Sequence, residues 1–261
     1  MGRYWRIYGE FFRSSIQREL EFRANFLAKV LQNATWLIFF VTVLLVIYRN
    51  TDSVGGWNQG DSTVLAATVF IMTSVMWAFC HSLYEVPEQV RKGTLDFVVV
   101  KPIDSQFWVS LRRFRIEQIG SFIAGLILLG YGLTMVTHTP SLMDWLAFLT
   151  LCMASFFLYY SLILVLMTFS IYFVRIDNLW VLGETVMDVA RFPMSIFSPA
   201  IQNVITFWIP FAFLASLPTL QLVRGADWGI VAVGLIWTVI ALIISRAFWR
   251  FSLRRYTSAS S

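Results

Sequence analysis

Apolar runs of membrane-spanning length constrain this chain more than any other feature. Several of them reach the roughly 20 residues that a helix needs to cross about 30 Å of hydrocarbon. Only 13% of the residues are charged, whereas about a quarter are charged in an average soluble domain. The runs lack the apolar–polar alternation of a transmembrane β-barrel strand. The sequence therefore predicts an all-α, polytopic integral membrane protein.

The order of apolar and polar segments predicts six transmembrane helices within a single domain, residues 1–261. The predicted spans are 26–48, 62–84, 116–137, 143–172, 179–200 and 227–250. The other segments are an interfacial helix at 1–25, a polar segment at 85–115 and a proline-interrupted region at 201–226. We expect short re-entrant helices in that last region, because non-helical backbone at membrane depth must be buried in protein or face water. There it would form a dimer interface or an exit path.

The positions of the basic residues predict the orientation. Seventeen of the 20 Lys and Arg residues lie in the N-terminal segment, the 85–115 segment, the link between spans four and five, and the C-terminus. Six spans place all of these on one side, which the positive-inside rule makes cytoplasmic. We therefore expect a multi-pass protein of a bacterial-type cytoplasmic (inner) membrane, with both termini in the cytoplasm.

The first 25 residues combine aromatic and basic side chains at helical spacing. The apolar members are Tyr4, Tyr8, Phe11, Phe12 and Ile16. This pattern is typical of a helix lying in the membrane interface, with aromatics at headgroup depth and arginines toward anionic lipid. The alternative is a basic segment that only sets the topology of the first span.

Three ionisable residues share one face of the predicted fifth span: Glu184, Asp188 and Arg191. Ionisable groups within a membrane usually face the protein interior or water. They could line a translocation path or its cytoplasmic gate. Alternatively, Asp188 and Arg191 neutralise each other near the membrane surface. In the predicted third span, small residues allow close helix packing, namely Gly120, Ala124, Gly125, Gly130 and Gly132.

No group of residues supports catalysis, a metal site or a bound cofactor. His81 adjoins Cys80, so their side chains diverge on a helix, and His138 falls in a short outer loop. Gly55 to Ser62 has glycine spacing like a P-loop but lacks its lysine, so we interpret it as a glycine-rich turn. Cys80 and Cys152 lie in apolar runs and are expected to be core residues rather than a disulfide.

Glu85 to Asp104 is the longest internal polar stretch. Pro87 is expected to end or kink the preceding helix, and Gly93 to close a short polar helix. A connector between two spans is usually much shorter than the whole 85–115 segment. We therefore interpret the segment as a docking surface for a soluble partner.

These motifs together resemble the permease subunit of ABC-2-type transporters. Arg91-Lys92-Gly93-Thr94-Leu95-Asp96, followed by Lys101-Pro102-Ile103, is similar to a signature of one uncharacterised export-type subgroup. Arg191-Phe192-Pro193, Ile209-Pro210 and Leu217-Pro218 also resemble that subgroup. The predicted topology adds the interfacial helix, six spans and the cytoplasmic element between spans two and three. The resemblance covers essentially the whole chain.

The resemblance implies a non-catalytic subunit that works with partners. Two permeases, identical or related, would form the pathway, and two cytoplasmic ATPase subunits carrying ATP and Mg would dock on a coupling helix. The implied interface comprises Glu88, Arg91, Lys92, Gly93, Thr94, Leu95, Asp96, Phe97 and Pro102. Leu95 and Phe97 would fill a groove of the ATPase. No nucleic-acid partner is expected, and lipid surrounds the spans.

Two other functions stay open. A secondary, ion-coupled carrier would use Glu184 or Asp188, although such carriers usually show an internal repeat that is not evident here. A non-transporting membrane scaffold would need neither charges within a span nor a long docking segment. The cargo is open too, since abundant aromatic residues fit both an amphipathic cargo and membrane anchoring.

Overall fold

The structure is a computed structural model that describes residues 2–21, 23–173, 181, 183, 185, 193–203 and 211–256. Within these residues the chain is helical and contains no β-strand. The α-helices are α1 (Gly2–Glu21), α2 (Arg23–Asn50), α3 (Gln59–Cys80), α4 (Val86–Arg91), α5 (Asp96–Val99), α6 (Ser105–Leu111), α7 (Gln118–Leu133), α8 (Leu142–Thr168), α9 (Pro199–Asn203), α10 (Ser216–Val223) and α11 (Trp228–Leu253). Short 3₁₀ helices are His81–Glu85, Phe169–Ile171, Met194–Ile196 and Phe211–Leu214.

Polar side chains fix where two of the long helices begin. Asn58 and Asp61 form a capping box at the start of α3, and Ser141 and Asp144 form another at the start of α8. In each box the two side chains satisfy backbone N–H groups that the first helical turn leaves unpaired. The sequence thus specifies these helix starts locally.

Four described helices are long and apolar enough to cross a membrane. They are Phe26–Asn50, Gln59–Arg91, Leu142–Ile171 and Trp228–Leu253. They confirm the multi-pass prediction and correspond to predicted spans one, two, four and six. The predicted third span is the shorter helix α7, whose 16 residues rise only about 24 Å. The predicted fifth span lies largely outside the described residues, so the count of six stays a prediction.

The loops sort into two ends of the helix bundle. At one end, the Arg224 guanidinium donates to the carbonyl of Gly56 (2.7 Å), and the N–H of Ala226 donates to Asp144 (2.6 Å). At the other end, Arg3 donates to the carbonyl of Pro102 (3.1 Å). The N-terminal helix and the polar segment therefore share an end, as the distribution of basic residues requires. We call it the basic end.

Gly183 and Ser195 are described, and they lie in the sequence before and after the three charged residues of the predicted fifth span. Gly183 packs so closely on Tyr84 that a Cβ atom there would lie 2.6 Å from the tyrosine hydroxyl. A Cβ on Gly55 would lie 2.8 Å from Oγ of Ser195. Tyr84 is near the basic end and Gly55 is at the opposite end. This order agrees with the direction of the predicted span.

Helix α3 is the centre of the bundle, and α7 packs closely along it. A Cβ on Gly125 would lie 2.8 Å from Cγ1 of Ile71, and one on Gly132 would lie 2.9 Å from Cγ2 of Val64. A Cβ on Gly130, in contrast, would meet no atom within 4 Å. The prediction of close packing therefore holds for the two glycines that face α3. Their missing side chains let the two backbones approach.

The glycine-rich stretch after α2 is a turn, as predicted. Val54 and Trp57 form an isolated antiparallel bridge, and Gly55 and Gly56 between them have φ of 58° and 79°. Residues other than glycine adopt two successive positive φ angles only at a cost. The two cysteines are free thiols, and Cys80 belongs to an apolar core cluster. The interpretation as a core residue is confirmed for Cys80, whereas Cys152 is half-buried and packs against the core clusters.

Candidate functional site

The polar segment begins with a break in the second span. The α-helix ends at Cys80, a 3₁₀ turn follows, and α4 then starts at Val86 with Pro87 in its first turn. Pro87 thus starts a new helix instead of ending the old one, because the first turn needs no N–H from a proline. Val86 and Val90 face the core, whereas Glu88 and Lys92 form an exposed ion pair (2.7 Å).

Gly93 reverses the chain after α4. Its φ is +68°, and its N–H donates to the carbonyl of Val90 (3.1 Å). The N–H of Leu95 then donates to the carbonyl of Gln89 (3.2 Å), which completes a helix-terminating motif. The predicted role of Gly93 is confirmed. A glycine is needed because other residues pay a steric cost in this left-handed conformation.

The turn is followed by helix α5, which has a buried face and an exposed face. Leu95 and Val98 are buried in a core cluster that also contains Trp249 and residues of α8. Phe97 and Val100, three residues apart, are 69% and 79% exposed. Neighbours at this spacing lie on the same side of a helix. Helix α5 therefore presents an apolar patch, Phe97 and Val100, on a polar segment.

The predicted interface residues divide by exposure. Six are exposed, namely Glu88, Arg91, Lys92, Thr94, Phe97 and Pro102, while Gly93 and Asp96 are partly buried. Leu95 is fully buried within this chain. Of the two side chains expected to fill a partner's groove, only Phe97 is placed to enter one. Leu95 is instead part of the core cluster that contains Trp249.

Asp104 joins the polar segment to the last helix. Its carboxylate caps α6 by accepting from the N–H of Phe107 (3.0 Å) and also contacts the guanidinium of Arg246 in α11 (2.9 Å). Arg246 also donates to Gln106 (2.5 Å). The hydrogen bond from Arg246 holds the pKa of Asp104 below its ordinary value, with the cap contributing in the same direction. Sequence analysis missed this pair, because nothing in the sequence links positions so far apart.

Helix α1 packs along the same segment. Tyr4 and Phe11 make edge-to-face contacts with Phe107 (4.8 Å) and Trp108 (5.0 Å), respectively. The buried hydroxyl of Ser15 accepts a hydrogen bond from the N–H of Phe114 (3.1 Å). The sequence predicted that the aromatic residues of α1 lie at the depth of the lipid headgroups. Two of them, Tyr4 and Phe11, instead contact aromatic residues of the polar segment.

Tyr256, which follows α11, also reaches the segment. Burial and the neighbouring Asp96 carboxylate raise the pKa of Tyr256 to about 12. The polar segment is thus held by α1, by Arg246 and by the chain after α11. This arrangement makes it a rigid part of the bundle rather than a mobile connector.

A cavity of about 350 Å³ lies directly behind the Asp104–Arg246 pair. Helix α6 contributes Gln106, Phe107 and Ser110, and the facing wall is Phe156, Phe157 and Tyr160 of α8. Tyr160 accepts a hydrogen bond from Gln106 (2.9 Å) and shares another with Ser110 (2.8 Å). Five of the eleven lining residues are aromatic. A shift of the polar segment would therefore change the shape of this cavity.

The predicted path residues Glu184, Asp188 and Arg191 lie outside the described residues. The described part of the chain contains no group of three or more His, Cys, Asp or Glu side chains arranged to hold a metal.

Comparison with known protein families identifies a match over most of the chain. The model of the family described as "ABC-2 family transporter protein" matches residues 33–260. The matched range contains the last three of the four long apolar helices, most of the first, and the whole polar segment. No curated protein sequence matches the chain.

Proposed function

The chain belongs to the ABC-2 transporter family, and we propose that it is one of two permease subunits of an ATP-driven exporter. Family membership makes it a multi-pass transmembrane permease that takes part in transport. The family match over residues 33–260 carries this proposal. In this arrangement the protein lies in a bacterial-type inner membrane. The basic end and both termini face the cytoplasm. A separate ATPase binds ATP and Mg and performs hydrolysis.

The proposed docking site for that ATPase is the Phe97/Val100 patch with its polar rim. An exposed apolar patch on a water-facing segment would expose hydrocarbon to solvent unless a partner covers it. Aromatic side chains at the centre of an interface, surrounded by polar groups, are typical binding hot spots. Glu88, Arg91 and Lys92 supply such a rim.

The packing of the segment supports a mechanical role. Leu95 and Val98 are anchored in the core cluster that contains Trp249, and Asp104 holds Arg246. A push on Phe97 would therefore move α5 and α6 together against α8 and α11, because closely packed interiors transmit displacement. Helix α6 lines the 350 Å³ cavity, so the push would reach the interior of the permease. We propose that ATPase closure acts on the pathway by this route.

Co-purification from native membranes tests the proposal. The affinity-tagged chain is solubilised in detergent and the co-eluting proteins are identified by mass spectrometry. We expect an ABC ATPase in near-stoichiometric amount. Phe97→Asp should reduce its recovery roughly 30-fold, the equivalent of about 2 kcal/mol at a hot spot. The matched control is Phe39→Ala, which removes an exposed phenylalanine from α2, far from the patch.

Two results would contradict the proposal. Absence of any ATPase from the wild-type complex would remove the exporter assignment. Equal ATPase recovery with wild type and Phe97→Asp would leave the exporter but move the docking site elsewhere.

A further inference from the structure

A cavity lined by four cationic side chains lies where α1 and α2 meet the end of the polar segment. Its volume is about 170 Å³, and its charged lining is Arg18, Glu19, Lys29, Arg113 and Arg115. A second cavity of about 360 Å³ continues between α2, α3 and α7 and shares Lys29 and Arg115 with the first. The two cavities therefore adjoin at Lys29 and Arg115.

The nearby carboxylates do not pair with all of the cationic side chains of the cavity. Glu117 is fully buried and pairs with Lys29 (3.1 Å) and Arg115 (2.6 Å), and Glu85 pairs with Arg113. Arg18 forms no ion pair with a carboxylate of the described residues. Its guanidinium is the group available to a ligand anion.

The ionisation of the other carboxylates reinforces this excess. Burial and then the neighbouring Glu117 carboxylate raise the pKa of Glu19, which favours its neutral form. Glu117 is held by its ion pairs with Lys29 and Arg115. The shift of the Glu19 pKa acts in the direction of more net positive charge around Arg18.

The larger cavity adds an apolar wall that faces lipid. Beyond the amide groups of Gln32 and Asn33, it is lined by Trp36, Phe40 and Phe70. Helix α2 forms one wall of this cavity, and its membrane-length window is 0% buried within this chain, so this wall lies at the lipid-exposed edge of the described bundle. Polar and cationic groups at one end and aromatic groups further into the membrane match the two parts of an amphiphile.

We propose that this site binds an anionic phospholipid of the leaflet at the basic end. Arg18 binds the phosphate, with Lys29 and Arg115 beside it supplying positive charge. The acyl chain lies along Trp36, Phe40 and Phe70. Arginine suits this role because its planar guanidinium donates two parallel hydrogen bonds to phosphate oxygens. The site would tie α1 and α2 to the lipid surface independently of any ATPase.

Lipid binding to the purified protein tests the proposal. Native mass spectrometry in detergent measures binding of phosphatidylglycerol and of phosphatidylcholine to wild type, Arg18→Gln and Arg13→Gln. Arg13 is exposed on the same helix and does not line the cavity. Arg13→Gln therefore removes the same charge as Arg18→Gln without altering the site. We expect wild type and Arg13→Gln to bind phosphatidylglycerol at least 10-fold more tightly than phosphatidylcholine. Arg18→Gln should lose most of that preference.

Three results would overturn the proposal. The first is equal binding of phosphatidylglycerol and phosphatidylcholine by wild type. The second is loss of the preference in Arg13→Gln as complete as in Arg18→Gln, which would mean diffuse surface charge. Displacement of phosphatidylglycerol by millimolar inorganic phosphate or glycerol phosphate would show that the site recognises free phosphate rather than lipid. Circular dichroism of each variant confirms that the helices are intact.

Discussion

Asp104 and Arg246 lie 142 residues apart in the chain, yet the carboxylate and the guanidinium meet at two points at the basic end of the bundle. Asp104 caps the helix that follows the docking segment, and Arg246 belongs to the last membrane-length helix. The pair therefore connects the surface proposed to receive the ATPase with a helix that packs along α8. Its loss should affect both stability and coupling.

Asp104→Asn should lower stability in a pH-dependent way. Because Arg246 depresses the pKa of Asp104 in the folded state, the stabilisation is complete above the ordinary value of 3.8 and is lost as the pH falls through the lower folded-state pKa. The pair is about one third exposed, so we expect about 1 kcal/mol at pH 7. Thermal melting in detergent at pH 7 and at pH 3 measures it. A gap between wild type and variant that does not shrink in acid would contradict this origin.

Alanine at Gly125 or Gly132 should separate α7 from α3. Each new Cβ would lie within 3.1 Å of a backbone nitrogen of α3, which cannot move aside alone. Overpacking of this kind costs about 1–3 kcal/mol. The control is Gly130→Ala, which meets nothing within 4 Å and should be neutral or stabilising. Melting temperatures of the three variants decide, and equal values for all three would refute the packing argument.

Glu117→Ala should be among the most damaging single changes in the described chain. It removes a buried carboxylate and leaves Lys29 and Arg115 without their shared partner. Breaking a buried ion pair from one side costs about 3–5 kcal/mol. Glu88→Ala removes an exposed carboxylate paired with Lys92 and should leave the melting temperature within error. If the two variants melt alike, the buried cluster is not structural.

Phe11→Ala should loosen α1 from the polar segment. It removes the edge-to-face contact with Trp108, worth about 0.5–1.5 kcal/mol beyond buried area. Hydrogen exchange of the α1 amides should accelerate several-fold while exchange in α3 is unchanged. Trp5→Ala, at a position 73% exposed, serves as the control. Unchanged exchange in Phe11→Ala would mean that lipid, not protein contact, holds α1.

Local patterns were sufficient for several features. Length and apolarity of individual segments identified four membrane-length helices, since a span is specified by its own roughly 20 residues. Gly93 was correctly assigned to the end of a helix, because a left-handed turn imposes a residue type on one position. The likeness of the polar segment to a family signature was confirmed by the family match over residues 33–260.

Tertiary structure decided what depends on partners distant in sequence. Leu95 and Phe97 are equivalent as apolar residues of a short segment, and only the core around Trp249 determines that Leu95 points in and Phe97 out. Likewise Arg18 is one of several arginines in the sequence. It is a candidate for phosphate binding because Glu117 pairs with Arg115 and Glu85 pairs with Arg113, and neither pairs with Arg18. Spans arise from the sequence of each segment, whereas pairing and exposure arise from contacts that the folded chain alone brings together.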